Sequence, residues 1–297
     1  MTPFGNQYLD FVRSIRPESR LRLAPTPSGY LHLGNALNFV LNWLAVRTYP
    51  GARLLLRIDD LDADRKRPEF VSDIFDTLHW LGLDWDEGPQ SAADFEAHWS
   101  QQSRVALYLE VLARLRALGH LFACAKSRGD LAPYAGHYPV EFQEQGLPLD
   151  AHDVAWRIKT PRSSGLEMPP DFVVRRRDGI PAYQVASLAD DRHFGVSHVI
   201  RGEDLAPSTA AQQYLASCLG WPDFTLIRFL HHPLVQDATG EKLSKSAGAA
   251  ALQRWRMEDI PPVTVFQEVS TWLGLSKTAR SAVELLAFFS NDSIKPA

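Results

Sequence analysis

The chain has 297 residues, 45% of them apolar and 22% charged, with a formal net charge of −4. That composition suits a soluble globular protein of two domains, or one domain with an insertion, and it lacks the net basic footprint of a compact nucleic-acid-binding module. No apolar run nears the roughly 20 residues that span a bilayer, and Met1 to Leu21 mixes charged and apolar residues without a signal-peptide core. Two cysteines, Cys124 and Cys218, are too few for a disulfide framework. A cytoplasmic protein is expected, with any RNA contact coming from local basic patches.

The segment Arg22 to Gly34 is rich in Pro, Gly and Ser, and it leads into Leu37, Val40, Leu41 and Leu44, spaced as one helix face. Leu54 to Ile58 is a short apolar run, predicted as a buried strand. Phe70, Ile74, Leu78 and Leu81 give a second helix, and Tyr108, Val111, Leu112, Leu115 and Leu118 a third. Strand and helix in alternation predict a parallel α/β sheet. From Phe122 to Met168 the pattern breaks at Pro133, Gly136, Pro139, Gly146 and Pro148, as in an inserted subdomain. It resumes with strands at Phe172 to Val174 and Val196 to Ile200, a helix at Thr209 to Leu219 capped by Ser208, and a strand at Leu226 to Leu230. The expected division is 1–121 and 171–250 for the two halves of the sheet domain, 122–170 for the insertion and 251–297 for a short helical C-terminal segment.

Two segments carry chemistry. In Arg22-Leu-Ala-Pro-Thr-Pro-Ser-Gly-Tyr-Leu-His-Leu-Gly-Asn35, Gly29 and Gly34 let backbone approach a ligand. The helix that follows presents free N–H groups to an anion, and His32 offers a donor. In Lys242-Leu-Ser-Lys-Ser246, two lysines three apart suit a polyphosphate, their charge following that of a leaving pyrophosphate. Each alone reads equally as an ordinary Pro/Gly loop or a solvated basic loop. Together, 210 positions apart in one α/β pattern, they fall where a doubly wound sheet brings two loops to one crevice.

With these two segments the chain resembles the class I aminoacyl-tRNA synthetases and their HIGH and KMSKS motifs, although the last HIGH position is Asn35. Further segments resemble the glutamyl branch: Leu56-Arg-Ile-Asp-Asp-Leu-Asp-Ala-Asp-Arg65, Asp171 to Asp178 with Gly179 and Tyr183, Asp190-Asp191, and His198-Val-Ile-Arg-Gly-Glu-Asp-Leu205. The likeness runs from Arg22 to Ser246. It implies a class I catalytic domain, a Rossmann-like doubly wound parallel α/β sheet, that joins glutamate to ATP, with Mg²⁺, and passes the acyl group to tRNA. His32, Gly34, Asn35, Lys242, Ser244, Lys245 and Ser246 would hold ATP, with His32, Lys242 and Lys245 catalytic. Arg22, Leu23, Ala24, Pro25 and Thr26 would line the glutamate pocket. Asp59 would meet the α-amino group, and Tyr183 and Arg201 would contact the glutamate. Other roles stay open: a strand-end turn for Asp59, core packing for Tyr183, an ion pair with Asp191 or Glu203 for Arg201. Asp190 and Asp191 are given no chemistry. Asp59 stands where glutamate-specific members carry Glu and glutaminyl members Asp, a departure that leaves glutamate favoured but does not exclude glutamine.

The 51 residues after Ser246 are too few for the family's anticodon-reading region. The resemblance therefore points to a shortened branch that activates glutamate without tRNA and attaches it to queuosine at the wobble position of tRNA(Asp). The alternatives are a truncated enzyme charging tRNA(Glu), an adenylate-forming nucleotidyltransferase without an RNA substrate, and a non-catalytic tRNA-binding module. Arg175 to Arg177, Arg254 and Arg256 are candidates for phosphate contacts or for solvated faces. Members of the branch often carry zinc on C-x-C and Y-x-x-x-C; here those positions are Cys124, Lys126, Tyr134 and Tyr138, with His137 nearby. A zinc site normally has four Cys or His ligands, so none is expected, and packing of Phe122, Tyr134 and Tyr138 is expected in its place. A monomer without a membrane partner is expected.

Overall fold

The computed structural model describes residues 1–134, 138–143, 145–161, 170–235 and 252–293. Among them run β1 (Arg20–Leu23), β2 (Arg53–Leu56), β3 (Leu121–Cys124), β4 (Ala155–Ile158), β5 (Val173–Arg175), β6 (His198–Gly202) and β7 (Arg228–His232). The chain forms two compact units. One comprises Met1–Gln101, Val196–Asp204 and Ile227–Ala297, the other Gln102–Gly195 and Leu205–Leu226.

In the first unit β1 pairs with β2 and β6 with β7, both parallel. The amide of Ser197 donates to the Arg20 carbonyl and the Arg20 amide to Ser197 Oγ, both at 3.0 Å, which sets the start of β6 against the start of β1. Leu21, Leu23, Leu54, Leu56, Val199 and Ile200 are buried, as strands of a sheet covered on both faces must be. Gly88 (φ 101°) makes the bridge of Glu87 to Leu55 possible, because a Cβ there would lie 2.1 Å from the Leu56 oxygen.

The helix Leu33–Arg47 buries Leu37, Val40, Leu41 and Leu44 completely, a gain of about 1.5–3 kcal/mol per side chain. It is tied to β6 by polar bonds as well, Asn38 and Asn42 donating to the Ile200 carbonyl at 3.0 and 3.2 Å. The helix Pro68–Trp80 buries Ile74 and Leu78, while Phe70 stays half-buried with its ring edge-on to Tyr30. The C-terminal residues form helices Leu252–Met257, Val263–Leu273 and Ala282–Ser293. They are no separate extension: Phe266, Val269, Leu285 and Phe289 belong to the same core as Leu37 and Leu41. Tyr8, from the helix Pro3–Arg13, donates to the Leu41 carbonyl at 2.7 Å and meets Phe289 edge-on.

The second unit holds the antiparallel sheet β3–β4–β5 and helices Val105–Ala117, Tyr183–His193 and Ala206–Leu219. Asp190 is its buried hub. It accepts from Arg104 at 2.9 and 3.1 Å and from the Tyr108 hydroxyl at 2.9 Å, joining two helices. Two details depart from the sequence pattern. The run Phe172 to Val174 becomes β5, antiparallel to β4 and grouped with β3 rather than with the parallel strands, so the boundary drawn at 170 does not coincide with a unit boundary. Asp171 directs this return, its carboxylate accepting from the Thr160 amide at 2.9 Å and its amide donating to Thr160 Oγ1 at 3.0 Å. The helix expected from Thr209 starts at Ala206 with Pro207 in its first turn, a position where proline loses no helical hydrogen bond; Ser208 lies inside the helix and does not cap it.

Candidate active site

The β1–β2 ladder runs on past both strands. The Arg57 amide donates to the Leu23 carbonyl and the Asp59 amide to the Pro25 carbonyl, each at 2.9 Å. Two loops therefore leave the carboxyl ends of adjacent parallel strands side by side, the position where open α/β sheets take their ligands. Arg22, Leu23 and Pro25 are buried there, Ala24 is half-buried and Thr26 exposed. Arg57 and Asp59 are buried as well and form a two-pronged ion pair, Nε–Oδ1 2.7 Å and Nη2–Oδ2 3.0 Å. Asp59 is thus a buried, charge-paired carboxylate just beyond the end of β2. Residues two apart in extended chain face the same side, and that spacing is the one sequence signal for this pair. Asp60 has a structural task, accepting from Ser100 Oγ at 2.6 Å, the Gln101 amide at 2.7 Å and Lys66 at 3.2 Å.

Arg201 stands near the carboxyl end of β6, opposite His231 of β7. It is buried, with its guanidinium 5.0 Å from the centre of the Phe229 ring. Burial, then the charge of Arg201, lowers the pKa of His231. Tyr183 opens the helix Tyr183–His193 of the second unit and is 41% exposed, not core.

The glycine-rich loop enters the helix Leu33–Arg47 through a cap. The Asn35 side-chain oxygen accepts from the His32 amide at 3.0 Å. The departure from the HIGH pattern thus has a local function: an amide oxygen satisfies a backbone donor at the helix entrance. Gly34 leaves room for the His32 ring, since a Cβ at Gly34 would sit 3.1 Å from Cε1 and 3.2 Å from Nδ1. The remaining N–H groups of the first turn and the positive end of the helix dipole suit a phosphate.

Lys242, Ser244, Lys245 and Ser246 lie outside the described residues. The residues that flank them are described, and both meet the loop of His32. Val235 Cγ2 is 3.9 Å from the Cβ position of Gly34, and the Leu252 amide donates to the Leu31 carbonyl at 2.9 Å. Asp73, which no sequence pattern singles out, accepts from the Leu31 amide at 2.9 Å and from Arg256 at 2.6 Å. Arg254 pairs with Glu258, Arg176 with Asp178 and Arg177 with Asp153, while Arg175 stacks over Trp156. These arginines have intramolecular work, so their presence alone does not signal RNA.

At β3 the side chains do not fit a zinc ion. Cys124 Sγ is 3.0 Å from the Tyr138 hydroxyl, which also lies 3.1 Å from the Phe142 carbonyl and accepts from Gln145 at 3.1 Å. Burial raises the pKa of the Tyr138 hydroxyl well above that of a free phenol. Burial opposes ionisation of Cys124 too, but the hydroxyl of Tyr138 and the Lys126 amide outweigh it and lower the thiol pKa. Lys126 lies 4.6 Å above the Phe142 ring and Arg157 4.4 Å above Tyr138. Phe122 packs on Tyr138 and Tyr134 on Phe142. His137 lies outside the described residues, and among those described no group of three His, Cys, Asp or Glu is placed to hold a metal. No helix among them is long and apolar enough to cross a membrane.

The fold is that of a class I synthetase catalytic domain. It matches the crystal structure of glutamate-tRNA synthetase from Elizabethkingia anophelis with a TM-score of 0.74, at 23% identity, over 94% of this chain and 67% of that one. The family model for tRNA synthetases class I (E and Q), catalytic domain, matches residues 18–137 and 148–291, and the chain belongs to that family. It is 39% identical over 289 residues to the glutamyl-Q tRNA(Asp) synthetase of Synechococcus sp. (strain CC9605), with 93% of this chain and 90% of that one covered. It is 36% identical over 275 residues to the glutamyl-Q tRNA(Asp) synthetase of Nitratidesulfovibrio vulgaris (strain Hildenborough), with 83% of each covered. It is also 36% identical to glutamate–tRNA ligase 2 of Acidiphilium cryptum, covering 81% of this chain and 58% of that one.

Proposed function

We propose that this protein activates glutamate with ATP in the absence of tRNA and transfers the glutamyl group to queuosine at the wobble position of tRNA(Asp). The observation that carries the proposal is the 36–39% identity to glutamyl-Q tRNA(Asp) synthetases along 83–90% of their own length. The site geometry supports it. Arg201 supplies a planar fork suited to a carboxylate, and its cation favours glutamate over the neutral amide of glutamine. Asp59, held by Arg57, receives the α-amino group. The loop Arg22 to Thr26 lines the pocket.

ATP enters as its Mg²⁺ complex. Its phosphates bind at the start of the helix Leu33–Arg47, on His32, Gly34 and Asn35, and Lys242, Ser244, Lys245 and Ser246 supply the remaining contacts. A glutamate carboxylate oxygen attacks the α-phosphorus, the bond to the β-phosphate oxygen breaks, and pyrophosphate leaves with the electron pair. Lys242 and Lys245 follow that charge, while His32 donates to the phosphates. The nucleoside of the tRNA then displaces AMP from the acyl carbon. Neither step needs a covalent enzyme intermediate, so positioning and electrostatic stabilisation supply the acceleration.

The test is ATP–pyrophosphate exchange without tRNA. Glutamate should support exchange and glutamine should not; no exchange with any amino acid contradicts the proposal.

A further inference from the structure

We infer that Asp73 and Arg256 are positioning residues that lock the loop of His32 to the helix Leu252–Met257; this rests on the activation reaction proposed above. Leu31, which immediately precedes His32, has both sides of its backbone engaged. Its amide donates to Asp73 Oδ2 at 2.9 Å, and its carbonyl accepts from the Leu252 amide at 2.9 Å. Leu252 opens the helix Leu252–Met257, the first described element after Lys242 to Ser246. The second oxygen of Asp73 accepts from Arg256 Nη2 of that helix at 2.6 Å, and Arg256 Nη1 donates to Thr77 Oγ1 at 2.6 Å. One carboxylate, 2% exposed, therefore holds the loop of His32 with one oxygen and the helix behind the lysine segment with the other.

Holding that helix in place does not by itself require a buried charge. Trp255 already packs on Trp80, and Trp80 Nε1 donates to the Ile260 carbonyl at 3.2 Å. A buried ion pair is an expensive way to add adhesion and is no better than an apolar contact for stability alone. What it adds is direction. Both carboxylate oxygens are committed, so a tilt of the helix pulls on the Leu31 amide and on the backbone that carries His32. For an in-line displacement at phosphates held by the loop of His32, the position of that backbone decides the rate.

The test uses the full chain with Arg256→Met, Arg256→Lys, Asp73→Asn and the double variant Asp73→Asn/Arg256→Met. Pyrophosphate exchange is measured with ATP and glutamate varied separately, well below the melting temperature of each variant. Arg256→Met should lower kcat/KM for ATP about 100-fold, the scale of a small misplacement of reacting groups, with KM for glutamate changed less than about twofold. The double variant should be no worse than the poorer single one, because both cut the same link, and Arg256→Lys should recover part of the loss. Equal losses for both substrates, multiplying losses, or an unchanged Arg256→Met enzyme would overturn the inference. Hydrogen–deuterium exchange over residues 28–35 separates this from the activity itself. Faster uptake there in Arg256→Met supports the lock even if the wild-type chain activates no amino acid, and unchanged uptake sinks it. Should Asp73→Asn fail to fold, the two Arg256 variants carry both readouts.

Discussion

Two regions of this chain bury polar groups in opposite ways. At the carboxyl ends of β1, β2 and β6, the first unit buries full charges: Arg22, Arg57, Asp59 and Arg201. Around Cys124 the second unit buries a thiol and a phenol bonded to each other and leaves its cations, Lys126 and Arg157, on ring faces. Buried charge is costly and is kept where pairing and function require it. A thiol–phenol contact on an aromatic cluster is a cheaper way to hold a loop. The contrast sets charged strand ends, where the proposed chemistry lies, against an aromatic cluster around Cys124 held by a thiol–phenol contact.

Substitutions should separate the two regions sharply. The largest effect is expected from Lys245→Ala, which should lower glutamate-dependent pyrophosphate exchange about 10²–10³-fold, the usual scale for losing one transition-state donor. Its circular dichroism spectrum should not change, and near-normal exchange would break the link between the lysine segment and catalysis. Arg201→Met should cost about 2–5 kcal/mol in kcat/KM for glutamate, as for a buried charge whose ligand loses its partner. KM for ATP should hardly move; a matching loss for ATP would mean that Arg201 serves the fold.

In the other region Tyr138→Phe should leave exchange intact and lower stability by about 1–3 kcal/mol, because Gln145 and Cys124 lose a buried partner. A chelator should not shift the wild-type melting temperature, and a drop on chelation would show that a metal, not the aromatic cluster, holds the knot.

The smallest effect concerns His198 of β6, which binds Ser14 and Ser197 and faces the charges of Arg228 and Arg16. Burial, then Arg228, pushes its pKa from 6.5 down to about 4. The unfolded chain therefore takes up a proton at a pH where the native one does not. Stability from this residue is complete above pH 6.5 and is lost as pH falls from 6.5 through 4. Melting temperature should decline over that window, and His198→Gln should flatten the decline; an equally steep decline would assign it to other groups.

Helix faces were legible because a buried face repeats every three to four residues, as with Leu37, Val40, Leu41 and Leu44. The loop of His32 was legible because glycine and proline mark it. The pairing of β5 was not, since a three-residue apolar run says nothing about whether its neighbour is parallel or antiparallel. Ser208 misled because a good capping residue competes with a proline one position earlier. The Arg57–Asp59 pair left a weak trace in its spacing. Asp73 left none, because its partners, Leu31 and Arg256, are 42 and 183 positions away and meet it only in the folded chain.

The most direct measurement gives the purified chain labelled glutamate and ATP, and offers it tRNA(Asp) with queuosine, tRNA(Asp) without it, and tRNA(Glu). Label should pass only to tRNA(Asp) that carries queuosine. Transfer to tRNA(Glu) alone would contradict the proposed function.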